Sequence, residues 1–225
     1  MSWVLDNLDL IWALTVAHLR QSAISVVVAF VVAIPVGWLA FRYTKLRGTV
    51  LTVVGLLYTI PSFALFPLLT VFFGIPLLSD ATLIVALAIY GVAIMTRSVT
   101  DGLASVDEVT RSAAVAVGFG AWRRFWTVDF PLAGPVILAG LRVTAMSTIS
   151  LATIGTLIGV QNLGYLFTNG SQRRIVAEVF AGVVAVVVIA VLIDLALLLL
   201  GRLLMPWTRR TSPPRWDRIR WAVPT

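Results

Sequence analysis

Apolar positions along this chain fall in runs too long for strands and too uniformly apolar for surface helices. Five stretches, about 21–41, 50–73, 81–98, 133–158 and 177–200, approach or exceed the roughly 20 residues a helix needs to cross the hydrocarbon layer of a bilayer. Inside lipid a backbone must satisfy its own hydrogen bonds, so apolar runs of this length predict helices. The pattern therefore predicts an all-α integral membrane protein with five transmembrane helices. Pro35 and Gly37 interrupt the first run and Pro61 and Pro67 the second, which predicts bends in both.

The polar positions between the runs divide the rest. Residues 1–20, with Leu8, Leu10, Ile11, Leu14 and His18 among polar neighbours, read as an N-terminal interfacial segment. Asp6 and Asp9 stand where a signal peptide carries basic residues, so the first run is expected to remain as a span. His18, the only histidine, is expected to be solvated at the membrane surface. Gly74 to Asp80 is a short connection, whereas about 105–130 is a long loop that needs a purpose. Residues 159–176 begin too polar to span and are expected to re-enter or to lie along the outer surface. Residues 206–225 form a basic tail rich in Pro and Trp, with Pro213-Pro214 barring a continuous helix.

Composition sharpens this picture. Of 225 residues, 60% are hydrophobic and 12% charged, and the mean hydropathy is +1.00. With no cysteine, disulfides, thiolate metal sites and cysteine nucleophiles are excluded. The net charge of +7 sorts by loop rather than forming a nucleic-acid surface. Arg42, Lys45 and Arg47 follow the first run; Arg97, Arg111, Arg123 and Arg124 fall between the third and fourth; Arg202, Arg209, Arg210, Arg215, Arg218 and Arg220 follow the fifth. The opposite side holds only Arg20, Arg173 and Arg174, and Arg142 lies inside the fourth run. The positive-inside rule then predicts the N-terminus out, the C-terminus in, and the long loop in the cytoplasm.

That inner loop carries most of the information. Ser105-Val-Asp-Glu108 has the spacing of a capping box, so a helix is expected to start there. It continues through Ser112, Ala113 and Ala114 and is expected to stop at Gly118, which tolerates the left-handed turn that ends helices. Phe119 and Gly120 follow, then a second short helix from Ala121 to Val128 with Trp122, Arg123, Arg124 and Trp126. Asp129 is expected to cap the fourth span, with Pro131 in its first turn. Two short helices joined by a glycine elbow, small residues on one arm and aromatics on the other, make a docking surface.

These residues resemble the inner-loop pattern of bacterial ABC importer permeases: Glu-Ala-Ala, three residues, Gly, nine residues, then Ile-x-Leu-Pro. Ala113, Ala114, Gly118, Val128, Phe130 and Pro131 occupy matching positions; Ser112 stands where the pattern has glutamate. The resemblance covers roughly residues 15–205, and 21–205 would be the permease domain. It extends most to importers of osmoprotectants such as glycine betaine, choline, carnitine and proline betaine. It is carried there by Ala33-Ile-Pro-Val-Gly37, Thr59-Ile-Pro-Ser-Phe-Ala-Leu-Phe-Pro67, Ala139-Gly-Leu-Arg142 and Leu157-Ile-Gly-Val-Gln-Asn-Leu-Gly164. The resemblance implies that Ser112 to Trp126 form the coupling helix, which contacts a cytoplasmic ATPase. It also implies a second permease, the same chain or a homologue, an extracytoplasmic solute-binding protein, and a bacterial plasma-membrane location. ATP and magnesium would belong to the partner ATPase, with no cofactor in this chain.

Absent motifs agree with that division of labour. Lys45, the only lysine, lacks a P-loop context, and no zinc-protease motif or catalytic triad is present, so the chain is not expected to be an enzyme. Asp194 within the fifth run is a functional candidate by its place in lipid; pairing with Arg142 or Arg202 is the favoured reading. A rival reading makes Asp194 the ion site of a secondary transporter, although no internal repeat supports that architecture. Tyr58, Phe63, Phe66 and Tyr90 offer aromatic faces to a quaternary ammonium solute, and each also suits ordinary packing.

Overall fold

The computed structural model describes residues 2–208, and among these every regular element is helical. A short α1, Ser2–Asp6, precedes α2, Leu8–Arg42. At 35 residues, α2 is about 52 Å long, well beyond a hydrocarbon layer of ~30 Å. It passes Pro35 without a break, and it also runs unbroken through residue 20, so residues 8–20 are helical and continuous with the first apolar run.

The second run behaves as its prolines predict. α3, Thr44–Thr59, and α4, Ser62–Phe73, meet at Ile60-Pro61 at 106°. The corner is held from outside, where Tyr90 Oη donates to the Ile60 carbonyl at 2.5 Å. Pro67 is passed by α4 without a break. α5, Asp80–Ala104, is capped by Ser79, whose hydroxyl accepts from the Thr82 amide at 3.3 Å. Its last turns hold Arg97, which belongs to the span and not to the loop where charge sorting placed it.

α6, Glu108–Ala116, and α7, Ala121–Arg124, form the long loop between α5 and α8. A π turn, Phe125–Asp129, joins α7 to α8, Phe130–Ala152, and a 3₁₀ turn, Thr153–Ile158, follows. After a left-handed turn at Gly159, α9, Gly164–Gln172, leads to α10, Val176–Leu204, and a last 3₁₀ turn, Pro206–Thr208. The described residues thus hold four long apolar helices, and five spans if the bent α3–α4 pair counts as one. Most of the basic tail, 209–225, lies outside the described residues.

α5 is the centre of the bundle, with α2 and α8 packed along it. Small residues permit this: a Cβ on Gly91 would lie 2.6 Å from Ala29 Cβ, and one on Gly37 2.7 Å from Val99 Cβ. Such close crossings drive helix association in lipid, where no hydrophobic force separates helix from solvent. Met95, Val99, Leu103, Phe125 and Ile137 fill the core at the loop end, and Leu14, Ile149, Leu163 and Leu166 part of the core at the far end.

Polar groups also close the far end. His18, expected in solvent, is fully buried, and its Nε2 lies 3.0 Å from the Ile149 carbonyl, to which it donates. Gln21 donates to Asp80 and to the Gln161 carbonyl, both at 3.2 Å. Asn162 donates to Gln21 Oε1 at 3.0 Å and to the Ala152 carbonyl at 2.8 Å. The segment from 159 to 176 is therefore anchored rather than free, and Asn169 ties α9 to the buried Glu178 at 2.6 Å.

Candidate functional site: the inner loop and the intramembrane ion pair

α6 ends as the sequence requires, and its bonds show why. Gly118 adopts φ 90°. Its amide donates to the Val115 carbonyl at 2.9 Å, and the Phe119 amide to the Ala114 carbonyl at 3.0 Å. This pair of bonds is the Schellman termination, which needs a residue without a Cβ at its left-handed position. The start differs from expectation. Ser105 closes α5, its hydroxyl donating to the Gly102 carbonyl, and Asp107 precedes α6 without a side-chain cap, so no capping box forms.

On either side of the elbow, Ser112, Ala113 and Val115 on α6, Val117 just after it, and Ala121, Trp122 and Arg123 on α7 face outward. Val117 is 78% exposed and Trp122 69%. Arg123 lies over the Phe119 ring at 4.6 Å, bridging the two arms, and Gly120 precedes α7 in extended conformation. Pro131 sits half-buried in the first turn of α8, as expected.

The inner side of the loop is fixed by charge. Asp129, expected as an N-cap, is instead helical and buried, and its two oxygens accept from Arg111 Nε and Arg124 Nε, each at 3.1 Å. Arg111 also donates to the Leu103 carbonyl at the end of α5, to Glu108 at 3.5 Å, and lies over the Phe41 ring at 4.6 Å. One guanidinium thus ties α6 to α2, α5 and the root of α8. Beside it, the buried Phe125 meets Trp38 edge-on at 6.0 Å, Trp126 at 4.9 Å and Phe130 at 5.7 Å. Neither Arg111 nor Asp129 stood out as a site residue in the sequence; the available signal was Asp129 at the apolar end of the loop, with Arg111, Arg123 and Arg124 in the same loop.

Within the membrane, Arg142 on α8 and Asp194 on α10 form the favoured pair: Nε to Oδ1 and Nη2 to Oδ2, both 2.7 Å. The four aromatics do not form one cage. Phe66 and Tyr90 are buried among Leu65, Leu69, Leu83 and Leu87, whereas Tyr58 and Phe63 face outward. Tyr58 and Tyr90 meet edge-on at 5.8 Å, the only ring contact among the four within the described residues.

The molecule is an all-helical bundle of several apolar spans with one firmly rooted, outward-facing loop and an arginine–aspartate pair between two of its long helices. Comparison with known proteins gives it a family. Residues 25–210 match the binding-protein-dependent transport system inner membrane component, and the chain belongs to that family of ABC transporter permeases. It is 32% identical over 197 residues to the osmoprotectant import permease protein OsmW of Salmonella typhimurium, spanning 85% of this chain and 90% of that one. It is 32% identical over 190 residues to the glycine betaine/carnitine/choline transport system permease protein OpuCD of Bacillus subtilis, spanning 84% and 82%. Among solved structures, the MetNI methionine ABC transporter in an inward-facing form superposes with a TM-score of 0.80 at 21% identity, over 88% of this chain and 98% of that one, which shows a shared fold.

Proposed function

We propose that this permease forms the pathway of an ATP-driven importer for small osmoprotectants of the glycine betaine, choline and carnitine kind. The relatives carry the substrate class: OsmW is an osmoprotectant import permease and OpuCD a glycine betaine/carnitine/choline permease. The observation that carries the coupling is the exposed α6–α7 elbow, apolar and aromatic outward, clamped inward through Arg111, Asp129 and Arg124. Ser112, Ala113, Ala114, Gly118, Phe119, Gly120, Trp122, Arg123 and Pro131 would make or support the ATPase contact.

In this reading the N-terminus is outside and the elbow and C-terminus inside. A second permease completes the pathway, and an extracytoplasmic binding protein delivers solute; the Helicobacter pylori relative EgtU, 36% identical over 172 residues, is named as both permease and binding protein in one chain. ATP with magnesium is bound by the ATPase. Its closure draws the two elbows together and opens the pathway outward, and hydrolysis resets it. The rival reading, an ion-coupled carrier using Asp194, loses ground to family membership and to the bidentate hold of Arg142 on that carboxylate.

Because the chain has no cysteine, one placed at Ala121 tests the reading. Crosslinking in native membranes should capture an ATPase subunit, and a cysteine at Asn169 should not. Uptake that survives removal of the ATPase and follows a proton or sodium gradient would overturn it.

A further inference from the structure

The two sides of α8 differ in kind. Leu141, Ala145 and Ile149 face α2 and, with Ser22, Val26 and Phe30, border an apolar recess of about 350 Å³. The other side opens on a recess of about 700 Å³ lined by Arg142, Val143, Met146, Ser147 and Asp194. Val143 and Ser147 also border a neighbouring recess of about 370 Å³ that holds Tyr58, Arg97 and Ser98. One face of the molecule, built from α3, α5, α8 and α10, thus carries a connected polar seam, while α2 covers the reverse.

Depth makes this seam informative. Arg142 lies 12 residues into α8, roughly 18 Å along its axis, and Asp194 stands 10 residues before the end of α10, roughly 15 Å. Arg97, 7 residues before the end of α5, lies roughly 10 Å in and is exposed on the same face. About a third of each paired side chain is exposed, 34% for Arg142 and 27% for Asp194. Charged groups at such depth do not face lipid; they face water or protein.

We propose that this face lines the solute pathway and that Arg142 and Asp194 form a zwitterion site within it. The guanidinium presents two parallel N–H donors, the geometry that recognises a carboxylate. A solute bearing a carboxylate and a quaternary ammonium offers both complements: its carboxylate replaces Asp194 on Arg142, and its cation takes Asp194. Opening the pair then leaves no charge unmatched, which avoids the penalty for an unpaired ion in a low-dielectric site. The exposed Tyr58 ring gives the trimethylammonium an aromatic face further along the seam. A cation without a carboxylate, such as choline, satisfies Asp194 only and leaves Arg142 without its partner.

The site rests on the osmoprotectant reading, and its test separates the two. Ser147→Cys in the assembled permease–ATPase complex in nanodiscs leaves the ion pair intact and adds a thiol beside it. A charged thiosulfonate reagent should label it from water, whereas Val27→Cys, on the α2 side, should stay unlabelled. Glycine betaine should slow the labelling of Ser147→Cys several-fold and choline less. No labelling, or labelling indifferent to glycine betaine, overturns the site. In proteoliposomes, Arg142→Gln/Asp194→Asn should lose glycine betaine uptake while ATP hydrolysis is still stimulated by loaded binding protein; unimpaired uptake also overturns it. If the unmodified complex does not take up glycine betaine on ATP, the osmoprotectant reading falls and the site falls with it; if it does and the thiol is unprotected, the site falls alone.

Discussion

Gly118 and Asp129 show how much single residues decide in the inner loop. A β-branched side chain at φ 90° is strained by roughly 1–3 kcal/mol, enough to unwind the elbow in favour of a longer α6. Gly118→Val is therefore expected to insert in the membrane, lose copurification with the ATPase and abolish energised uptake; quantitative pulldown and uptake on the same membranes check this. Asp129→Asn removes the charge shared by two arginines, one of them buried. Breaking a buried pair costs about 3–5 kcal/mol, so the variant should show a clearly lower melting temperature in detergent. Arg124→Gln should be milder, because Arg124 is the more exposed partner. The glycine was legible because its conformational need is local. The role of Asp129 was not, because an aspartate before a proline signals an N-cap until Arg111, 18 residues away, is seen against it.

Whole helices were legible to within a few residues at most ends, since hydropathy reports length directly. The ends that lie furthest from the apolar runs are the starts of α2 and α3 and the end of α5, and α2 begins earliest. Leu14, His18, Gln21, Ser25, Ala29, Ala33, Gly37 and Ala40 are all buried and recur every three or four residues. That stripe of small and polar residues was the available sign that the helix extends back past residue 20; His18 looks solvated only while its stripe is ignored. The bend between α3 and α4 depends on more than Pro61. Tyr90→Phe leaves the Ile60 carbonyl without its donor, a loss of about 1 kcal/mol, and should raise hydrogen exchange at the corner while leaving α5 protected.

At the scale of the whole molecule, the apolar runs announced the four long helices, the bent α3–α4 pair and the place of the loop but not which faces meet. Facing depends on helix rotation, and in uniformly apolar runs only the small residues and the rare charges encode it. Arg97 and Arg142 were visible as charges in the sequence; that they open on one side of the bundle, away from α2, is a tertiary fact.

The helical path from Ala121 through the π turn into α8 has no flexible joint, so Trp122 and Arg142 sit on one rod, roughly 30 Å apart. A rod transmits torsion as well as displacement, which makes the angular phase between its ends a design parameter, and the wide π turn sets that phase. Inserting one alanine after Thr127 should turn the two ends by about 100° relative to each other and uncouple ATP hydrolysis from uptake, whereas a four-residue insertion, returning within about 40° of the starting angle, should restore part of it.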